Sequence, residues 1–421
     1  MSSFLGIVYL ILIALILVFV YKILRYACDE YFGLKTLELI VRQPLVLTEM
    51  NDKYDVIAKG LADRIGIDGS FVTIKVGDGD KITHDVALPT HKEAIREVLA
   101  LLLKGALKSV DELSGVGHRV VAGGEYFKES ALVTDKVIEQ VDELSILAPL
   151  HNPAAALGLR AMKSLLPNVK QVVVFDTAFH QTMSKAAYLY PLPIEQYEKH
   201  KIRRYGAHGT SHFYVAREAA KLLGKQGKII TCHIGNGASI SAVENGKCVD
   251  TSMGFTPLAG VCMGTRSGDI DPYIPLHIMK TQGLSVDDMN RMLNKQSGMF
   301  GLCGFSDNRD VEAAIAKGDE KAIAANDVYV HSILRFIGSY IAVLGGVDAI
   351  VFTAGVGENS ANLRKALCQR LSYLGIELDE EANNKRGETV EISKSGSKVR
   401  VFVIPTDEEL VIAQDTVRLI K

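Results

Sequence analysis

Beyond residue 50, short apolar runs alternate with stretches whose apolar positions recur at helical spacing, the pattern of an α/β protein. Residues 86–88 and 171–175 are predicted strands. Residues 91–107 place Ile95, Val98, Leu99 and Leu102 on one face, which predicts a helix with a buried stripe. Thr210 or Ser211 is placed to cap a helix that runs to Leu223 and stops at Gly224. In residues 228–249 a strand (229–234) meets a Gly-Asn-Gly turn, a second strand follows (239–243), and Asn245-Gly246 makes a two-residue hairpin turn. A glycine-flanked turn bares backbone N–H groups that can cradle phosphate oxygens. Residues 349–353 form a predicted strand that breaks at Gly355, Val356, Gly357, Glu358 and Asn359, before a helix over 360–374. Strand, glycine loop and helix let a nucleotide approach the backbone.

One segment departs from this pattern. Residues 1–21 carry no charge, and residues 4–21 are almost continuously apolar. A helix of that length spans roughly 27 Å at ~1.5 Å per residue, enough to cross a thin bilayer core. The basic start and small-residue cleavage site of a signal peptide are missing. Lys22 and Arg25 follow the run, so the rest of the chain is expected on the cytoplasmic side, tethered to the cell membrane. A buried helix and a misassigned start are the competing readings.

Composition narrows the function. Lys+Arg 47 against Asp+Glu 49 gives a net charge of −2, which supplies no general field for nucleic acid, and none is expected as a partner. The 6 cysteines are scattered without a Cys-x-x-Cys pair, so neither a disulfide framework nor a structural zinc site is indicated. His208 and His212 stand four apart, but no Glu lies between them and no third ligand is evident. His180 is either a neighbour of a site or a packed histidine. Asp176 ends an apolar strand, where α/β proteins place site residues, although capping is the plainer reading. Arg119 and Arg266 sit inside glycine-bounded stretches, and planar guanidinium groups bind carboxylate and phosphate in bidentate fashion.

Taken in order, these stretches resemble the acetate/butyrate kinase family of the actin and hexokinase superfamily. Residues 117–121 read Gly-His-Arg-Val-Val, 147–153 Leu-Ala-Pro-Leu-His-Asn-Pro, and 174–180 Val-Phe-Asp-Thr-Ala-Phe-His. Residues 204–212 read Arg-Tyr-Gly-Ala-His-Gly-Thr-Ser-His, and 233–237 His-Ile-Gly-Asn-Gly. Residues 250–257, 263–269, 307–309, 355–359 and 405–409 continue the match. The resemblance implies two actin-like (ribonuclease H-like) α/β domains, each on a mixed five-stranded sheet, with the site in an interdomain cleft. Their expected extents are residues 34–152 with the C-terminal helix 406–421, and residues 153–405, after a membrane segment and juxtamembrane stretch over 1–33. The implied reaction is reversible, Mg²⁺-dependent phosphoryl transfer from ATP to acetate, giving acetyl phosphate and ADP, in a homodimer. Alternatives are a catalytically impaired nucleotide-binding paralogue at the membrane and a kinase for propionate or butyrate.

The resemblance also implies residue roles. Asp176, His208 and Arg266 would be catalytic, with His208 donating a hydrogen bond to the transition state and Arg266 stabilising the transferring phosphoryl group. Arg119 would bind the acetate carboxylate, and Val121, Leu150 and Pro257 would wall its methyl group. His233, Ile234, Gly235, Asn236 and Gly237 would form the ATP phosphate hairpin. Asp307, Asn308, Arg309 and residues 355–359 would hold the adenosine, and Glu408 would serve the magnesium ion.

The start of the chain departs from the family. A turn of the type Asn-x-Gly-Ser-Ser-Ser-Leu-Lys, which binds phosphate there, has no counterpart in residues 35–49, where Gly, Ser and Asn are all absent. Two strand-like runs around a Pro-containing turn fill that place. Turnover is therefore expected to be weakened. Three readings stay open: a tethered kinase, a paralogue that binds without turnover, and a frameshift in the gene. Near the acetate, Ala122 stands where the family has histidine and Ala207 where it has an aromatic residue, and both enlarge the pocket.

The anchor has a direct test. The full-length protein should sediment with membranes, resist carbonate and dissolve in detergent. Recovery from its own cells in the soluble fraction, without the N-terminal peptide 1–25 by mass spectrometry, would refute it.

Overall fold

The computed structural model describes residues 43–49, 51, 53–148 and 151–421. The expected anchor over residues 4–21 lies outside them. Two units divide these residues: one takes those up to Ser114 with 151–169, the other Gly115–Ala148 and Lys170–Lys421. These boundaries fall elsewhere than the expected domain limits.

In the first unit, β1 (Gln43–Thr48), β2 (Val56–Asp63), β3 (Phe71–Val76) and β4 (Ile82–Asp85) form an antiparallel sheet in chain order. Pro44 lies within β1 and not in a turn. A proline lacks the N–H that a central strand needs, and β1 is an edge strand. The expected strand at 86–88 is displaced to β4. Val86 and Leu88 instead donate their N–H groups to the Ser70 carbonyl and hydroxyl, which turns Leu88 into the core. α1 (His91–Gly105) forms as the apolar spacing predicts, capped by the Thr90 hydroxyl accepting from Lys92 N at 3.1 Å. Its Ala94, Val98 and Leu102 pack against Ala62, Val72 and Ile74. α2 (Asn152–Leu165) lies beside α1.

The second unit holds two sheets. In the smaller, β5 (Gly115–Val120) runs parallel to β7 (Lys170–Phe175), with the two-residue β6 (Ala131–Leu132) antiparallel on the other side. The larger is mixed and six-stranded, in the order β10-β9-β8-β11-β13-β12. It comprises β8 (Lys228–Ile234), β9 (Ala238–Glu244), β10 (Lys247–Thr251), β11 (Ala349–Thr353), β12 (Val390–Glu391) and β13 (Arg400–Val403). Sheets of four, three and six strands thus replace the expected pair of five-stranded sheets among the described residues. The Asn245-Gly246 turn has positive φ at both residues, 51° and 77°, as the tight hairpin requires.

Alternation along β8 and β9 decides what each face of the large sheet does. Ile230, Cys232, Ile234, Ile240 and Ala242 point to one side, into the core covered by α5 (Glu320–Leu344) and α7 (Ala361–Arg370). Each Ile buried there contributes roughly 1.5–3 kcal/mol. α5 is long and apolar enough to cross a membrane, yet its Tyr329, Ile333, Ile337 and Tyr340 are buried in this core. On the other side Ile229 and Val243 pack with Val215, Ala216 and Ala219 of α3 (Gly209–Leu223). Further along that same face, Thr231, His233, Ser239 and Ser241 take the inward positions. Polar side chains there are buried, so each needs a partner.

α3 starts one residue before the expected caps. His208 takes the N-cap position in a left-handed conformation, φ 56°, and Gly209 N donates to Asp176 O at 2.8 Å. A side chain at Gly209 would collide with that carbonyl. Gly224 ends the helix in the left-handed form, as expected. Residues 354–359, expected as a loop, wind into the short helix α6 (Ala354–Asn359), because Glu358 folds back to accept from Ala354 N at 2.7 Å. α8 (Glu408–Ile420) closes the chain, packing on β5 and β7.

That last packing depends on Gly117, where a side chain would run into Ile412 and Thr416 of α8. Gly117→Ala should lower stability by about 1–3 kcal/mol through overpacking. Denaturant unfolding monitored by circular dichroism measures it; an unchanged midpoint would show that α8 yields without cost.

Candidate active site

Asp176 follows directly from β7 and is 1% exposed. A buried carboxylate needs a partner, and parallel pairing supplies one, because Arg119 on β5 stands in register with Val174. Arg119 Nε and Nη2 donate to Asp176 Oδ1 and Oδ2 at 2.9 and 2.8 Å, a bidentate fork. The Asp176 charge raises the guanidinium's already high pKa further. Arg119 Nη2 also lies 3.5 Å from Glu408 Oε2, at the N-terminus of α8. Burial, with Asp176 and Glu409 nearby, pushes the Glu408 carboxyl up to about 7 against the pull of Arg119. Asp176, Glu408 and Glu409 thus gather around the single Arg119 charge, an excess of carboxylate that fits a hard divalent cation. Among the described residues no cluster of three or more His, Cys, Asp or Glu side chains is arranged to hold a metal. A pair of carboxylates suits Mg²⁺, which keeps several waters and takes one or two carboxylates.

Four histidines pack behind this pair. His208 and His233 stack at 4.1 Å and 17°. His233 Nδ1 lies 2.8 Å from Ser211 Oγ, which in turn accepts from Thr406 Oγ1 at 2.8 Å. His212 lies fully buried between Thr231 and Ser239. His180 is packed, with Nε2 2.9 Å from Ala207 O and Nδ1 3.1 Å from Cys248 Sγ. Burial pushes His180 and His233 down to about 4, and it takes His208 and His212 well below 6.5, with neighbouring charges adding to the effect. All four rings are neutral at pH 7.

Arg266 comes from the loop between β10 and α4 (Tyr273–Gln282). Its Nη1 donates to Pro257 O at 3.1 Å, and it has no carboxylate partner among the described residues. Burial alone lowers its pKa. An added Cβ at Gly237 would sit 3.4 Å from Arg266 Nη1 and 3.6 Å from His208 Nε2. The glycine turn, an unpaired guanidinium and an imidazole therefore face one point, which can take an anion.

The remaining expected residues divide into two cavities and the core. Val121 and Pro257 line a small apolar cavity with Ala122, Leu147, Ala148, Thr177, Tyr205, Gly206 and Phe255. Leu150 lies outside the described residues. Gly235, Asn236, Asp307, Asn308, Arg309, Gly355, Val356 and Asn359 line a larger cavity, joined by Ser306, Glu312, Tyr329, Ser360 and Arg386. Ile234 is buried in the core. Gly357 is interior, and the Glu358 carboxylate faces inward, accepting from Ala354 N and from Thr406 N at 3.2 Å. Arg364, fully buried, donates to the carbonyls of Gly357 and Glu358 and holds α6 from beneath. Sequence reasoning missed Ser211, Thr231, Ser239 and Thr406. Strand alternation next to His233 was the available signal for Thr231 and Ser239.

A forked Arg–Asp pair, a free arginine and a glycine turn on an α/β scaffold are groups suited to phosphoryl transfer. The acetokinase family model matches residues 43–414. Acetate kinase 2 of Clostridium perfringens is 53% identical over 376 residues, 88% of this chain and 94% of that protein. The crystal structure of Porphyromonas gingivalis acetate kinase superposes with a TM-score of 0.87 at 45% identity, covering 90% of this chain and 97% of that one. A propionate kinase from Francisella tularensis gives 0.85 at 42%, with 90% and 97% covered. The chain belongs to the acetokinase family.

The buried histidines set a pH dependence. As pH falls below 6.5 the unfolded chain takes up protons that folded His180 and His233 refuse until about pH 4, so stability is present above 6.5 and lost between 6.5 and 4. At pH 5 the loss is roughly 2 kcal/mol for each of the two. Thermal midpoints measured from pH 8 to 5 should be flat at first and then drop; a midpoint unchanged down to pH 5 contradicts this.

Proposed function

We propose that the chain transfers the γ-phosphoryl group of ATP to acetate, reversibly and in line, forming acetyl phosphate and ADP. The observation that carries this reading is the convergence of Arg266 and His208 Nε2 on the Gly237 backbone. In the forward step an acetate carboxylate oxygen bonds to the γ-phosphorus as its bond to the β-bridging oxygen breaks, and ADP leaves with that electron pair. Little covalent work falls to the protein, so positioning and charge stabilisation dominate.

Each residue's part follows from its surroundings. Two nitrogens of Arg119 are engaged by Asp176, and its Nη1 and the half-exposed face of the fork are left for the acetate carboxylate. Asp176 holds that guanidinium in place. Val121 and Pro257 shield the acetate methyl in the apolar cavity. Gly235, Asn236 and Gly237 bring backbone N–H groups to the phosphates, while Asp307, Asn308, Arg309, Gly355, Val356 and Asn359 border the adenosine. Arg266 and His208 donate to the equatorial oxygens as charge spreads over them. Glu408 and Asp176 would hold Mg²⁺, which when bound neutralises phosphate charge.

Two broader elements belong to the same proposal. Two actin-like domains, residues 34–152 with 406–421 and residues 153–405, rest on the family resemblance. A homodimer and a membrane tether through residues 4–21 rest on the family resemblance and on the charge-free start respectively.

One observation favours a wider acid range. Ala122, 4% exposed, lines the acetate cavity with only a methyl group. An extra methylene is worth about 1–3 kcal/mol in such a pocket, so propionate should be used within roughly 200-fold of acetate.

The test is acyl hydroxamate formation from ATP, hydroxylamine and acetate, propionate or butyrate, with a chain lacking residues 1–31. No product from any of them would overturn the reading. Arg266→Ala should lower kcat by about 10³-fold with ATP affinity nearly unchanged, because its charge is needed in the transition state. Arg119→Ala should raise the KM for acetate as well as lower kcat. A parallel fall in ATP affinity for Arg266→Ala would make that arginine a ground-state phosphate ligand.

A further inference from the structure

Ser239 bridges two imidazoles. Its Oγ lies 2.8 Å from His208 Nδ1 and 2.7 Å from His212 Nε2, and His212 Nδ1 lies 2.7 Å from Thr231 Oγ1. Ser239, His212 and Thr231 are fully buried. A hydroxyl has one proton and two lone pairs. Were both rings to donate, the proton of the buried Ser239 would have no acceptor among the contacts of the described residues, so Ser239 donates to one ring and accepts from the other. Both rings are neutral, and each therefore has one N–H and one lone pair.

Only two proton arrangements satisfy these conditions. In the first, His208 Nδ1–H donates to Ser239, Ser239 donates to His212 Nε2, and His212 Nδ1–H donates to Thr231. The Thr231 proton is then left with the Ser241 carbonyl at 3.5 Å, too long for a good O–H···O bond. In the second, Thr231 donates to His212 Nδ1, His212 Nε2–H donates to Ser239, and Ser239 donates to His208 Nδ1. The Thr231, His212 and Ser239 protons then all sit in contacts of 2.7–2.8 Å. The proton left over is on His208 Nε2, the atom beside Gly237 and Arg266.

We infer that Thr231, His212 and Ser239 are positioning residues that hold His208 in its Nε2–H tautomer, so that the ring meets the phosphoryl oxygens with a donor. In the opposite tautomer a lone pair would face those oxygens. The inference rests on His208 being the phosphoryl donor, and it adds what makes it one. The left-handed backbone at His208 fixes where the ring is; the relay fixes which nitrogen carries the proton.

The test reads the tautomer and the rate separately. In the full chain labelled with ¹⁵N-histidine, two-dimensional ¹H–¹⁵N spectra at pH 7.5 should show His208 protonated at Nε2 and bare at Nδ1, the signal being identified by its loss in His208→Gln. Protonation at Nδ1 overturns the inference. His212→Leu removes both relay bonds and should lower kcat by about 10²-fold, the scale of losing one transition-state donor, with the KM for ATP and acetate within about threefold. His212→Gln, whose amide can donate to Ser239 and accept from Thr231, should recover at least about tenfold of that loss. Wild-type kcat and tautomer in His212→Leu would likewise refute it. Should that variant not fold, Ser239→Ala, which removes one oxygen, takes the same readouts. If His208 shows the Nε2–H form but His208→Gln turns over at the wild-type rate, the catalytic role of His208 falls while the tautomer assignment stands.

Discussion

Burying the Asp176 carboxylate is the constraint on which the rest of this site is built. An unpaired carboxylate at 1% exposure costs several kcal/mol, so the fold must bring a cation to it. Parallel pairing of β5 with β7 does so, since register sets Arg119 beside the end of β7. The backbone of Asp176 completes the junction. Its N–H donates to Val120 O at 3.0 Å and its carbonyl accepts from Gly209 N, the first residue of α3. One residue therefore fixes two strands, the start of a helix and the orientation of an arginine. The arginine that results is an ion pair on one side and partly open on the other, with 45% of its side chain exposed.

Backbone strain adds to this at two positions. His208 and Ala354 are both non-glycine residues in the left-handed region, with φ of 56° and 66°. Such conformations cost of order 1–3 kcal/mol and persist where surroundings over-determine them. For His208 the restraints are stacking on His233 and the bond to Ser239. For Ala354 the restraint is Glu358, whose carboxylate also accepts from Thr406 N two residues before Glu408. The larger cavity and the acidic end of the site are thus braced through one side chain.

Local periodicity made much of this legible. The strands at 171–175, 229–234, 239–243 and 349–353, the hairpin at Asn245-Gly246 and the helix from His91 were readable because each is set by alternation, turn chemistry or an apolar stripe. Val86–Leu88 and the short helix at 354–359 were not, because their outcome is decided by Ser70 and Glu358, partners that periodicity does not reveal. The family motifs pointed to the site's members, but not to what each side chain does. Glu358 read as a nucleotide residue, yet its carboxylate is taken by backbone N–H groups, and Ile234 read as part of the phosphate hairpin, yet its side chain is core. The phosphate turn expected before residue 50 has no counterpart in the sequence, and the family match begins at residue 43 within β1.

The contrast between the two arginines shows how charge is divided within the site. Arg119 carries its own counter-ion, so its net field on an incoming substrate is small, and what it offers is a rigid fork. Arg266 carries none among the described residues, and burial lowers its pKa, so its charge is undercompensated until an anion arrives. A neutral His208 beside it adds a donor without adding a second positive charge. Two unpaired cations so close would repel, and a protonated ring would have to be desolvated at further cost. On the proposed reading, a paired arginine for positioning, a lone arginine for charge and a neutral imidazole for direction would be the division of labour that lets anionic substrates enter a largely buried site. The same division suits a neutral histidine cluster: a proton on His208 would place further positive charge beside Arg119 and Arg266, where burial already disfavours charge.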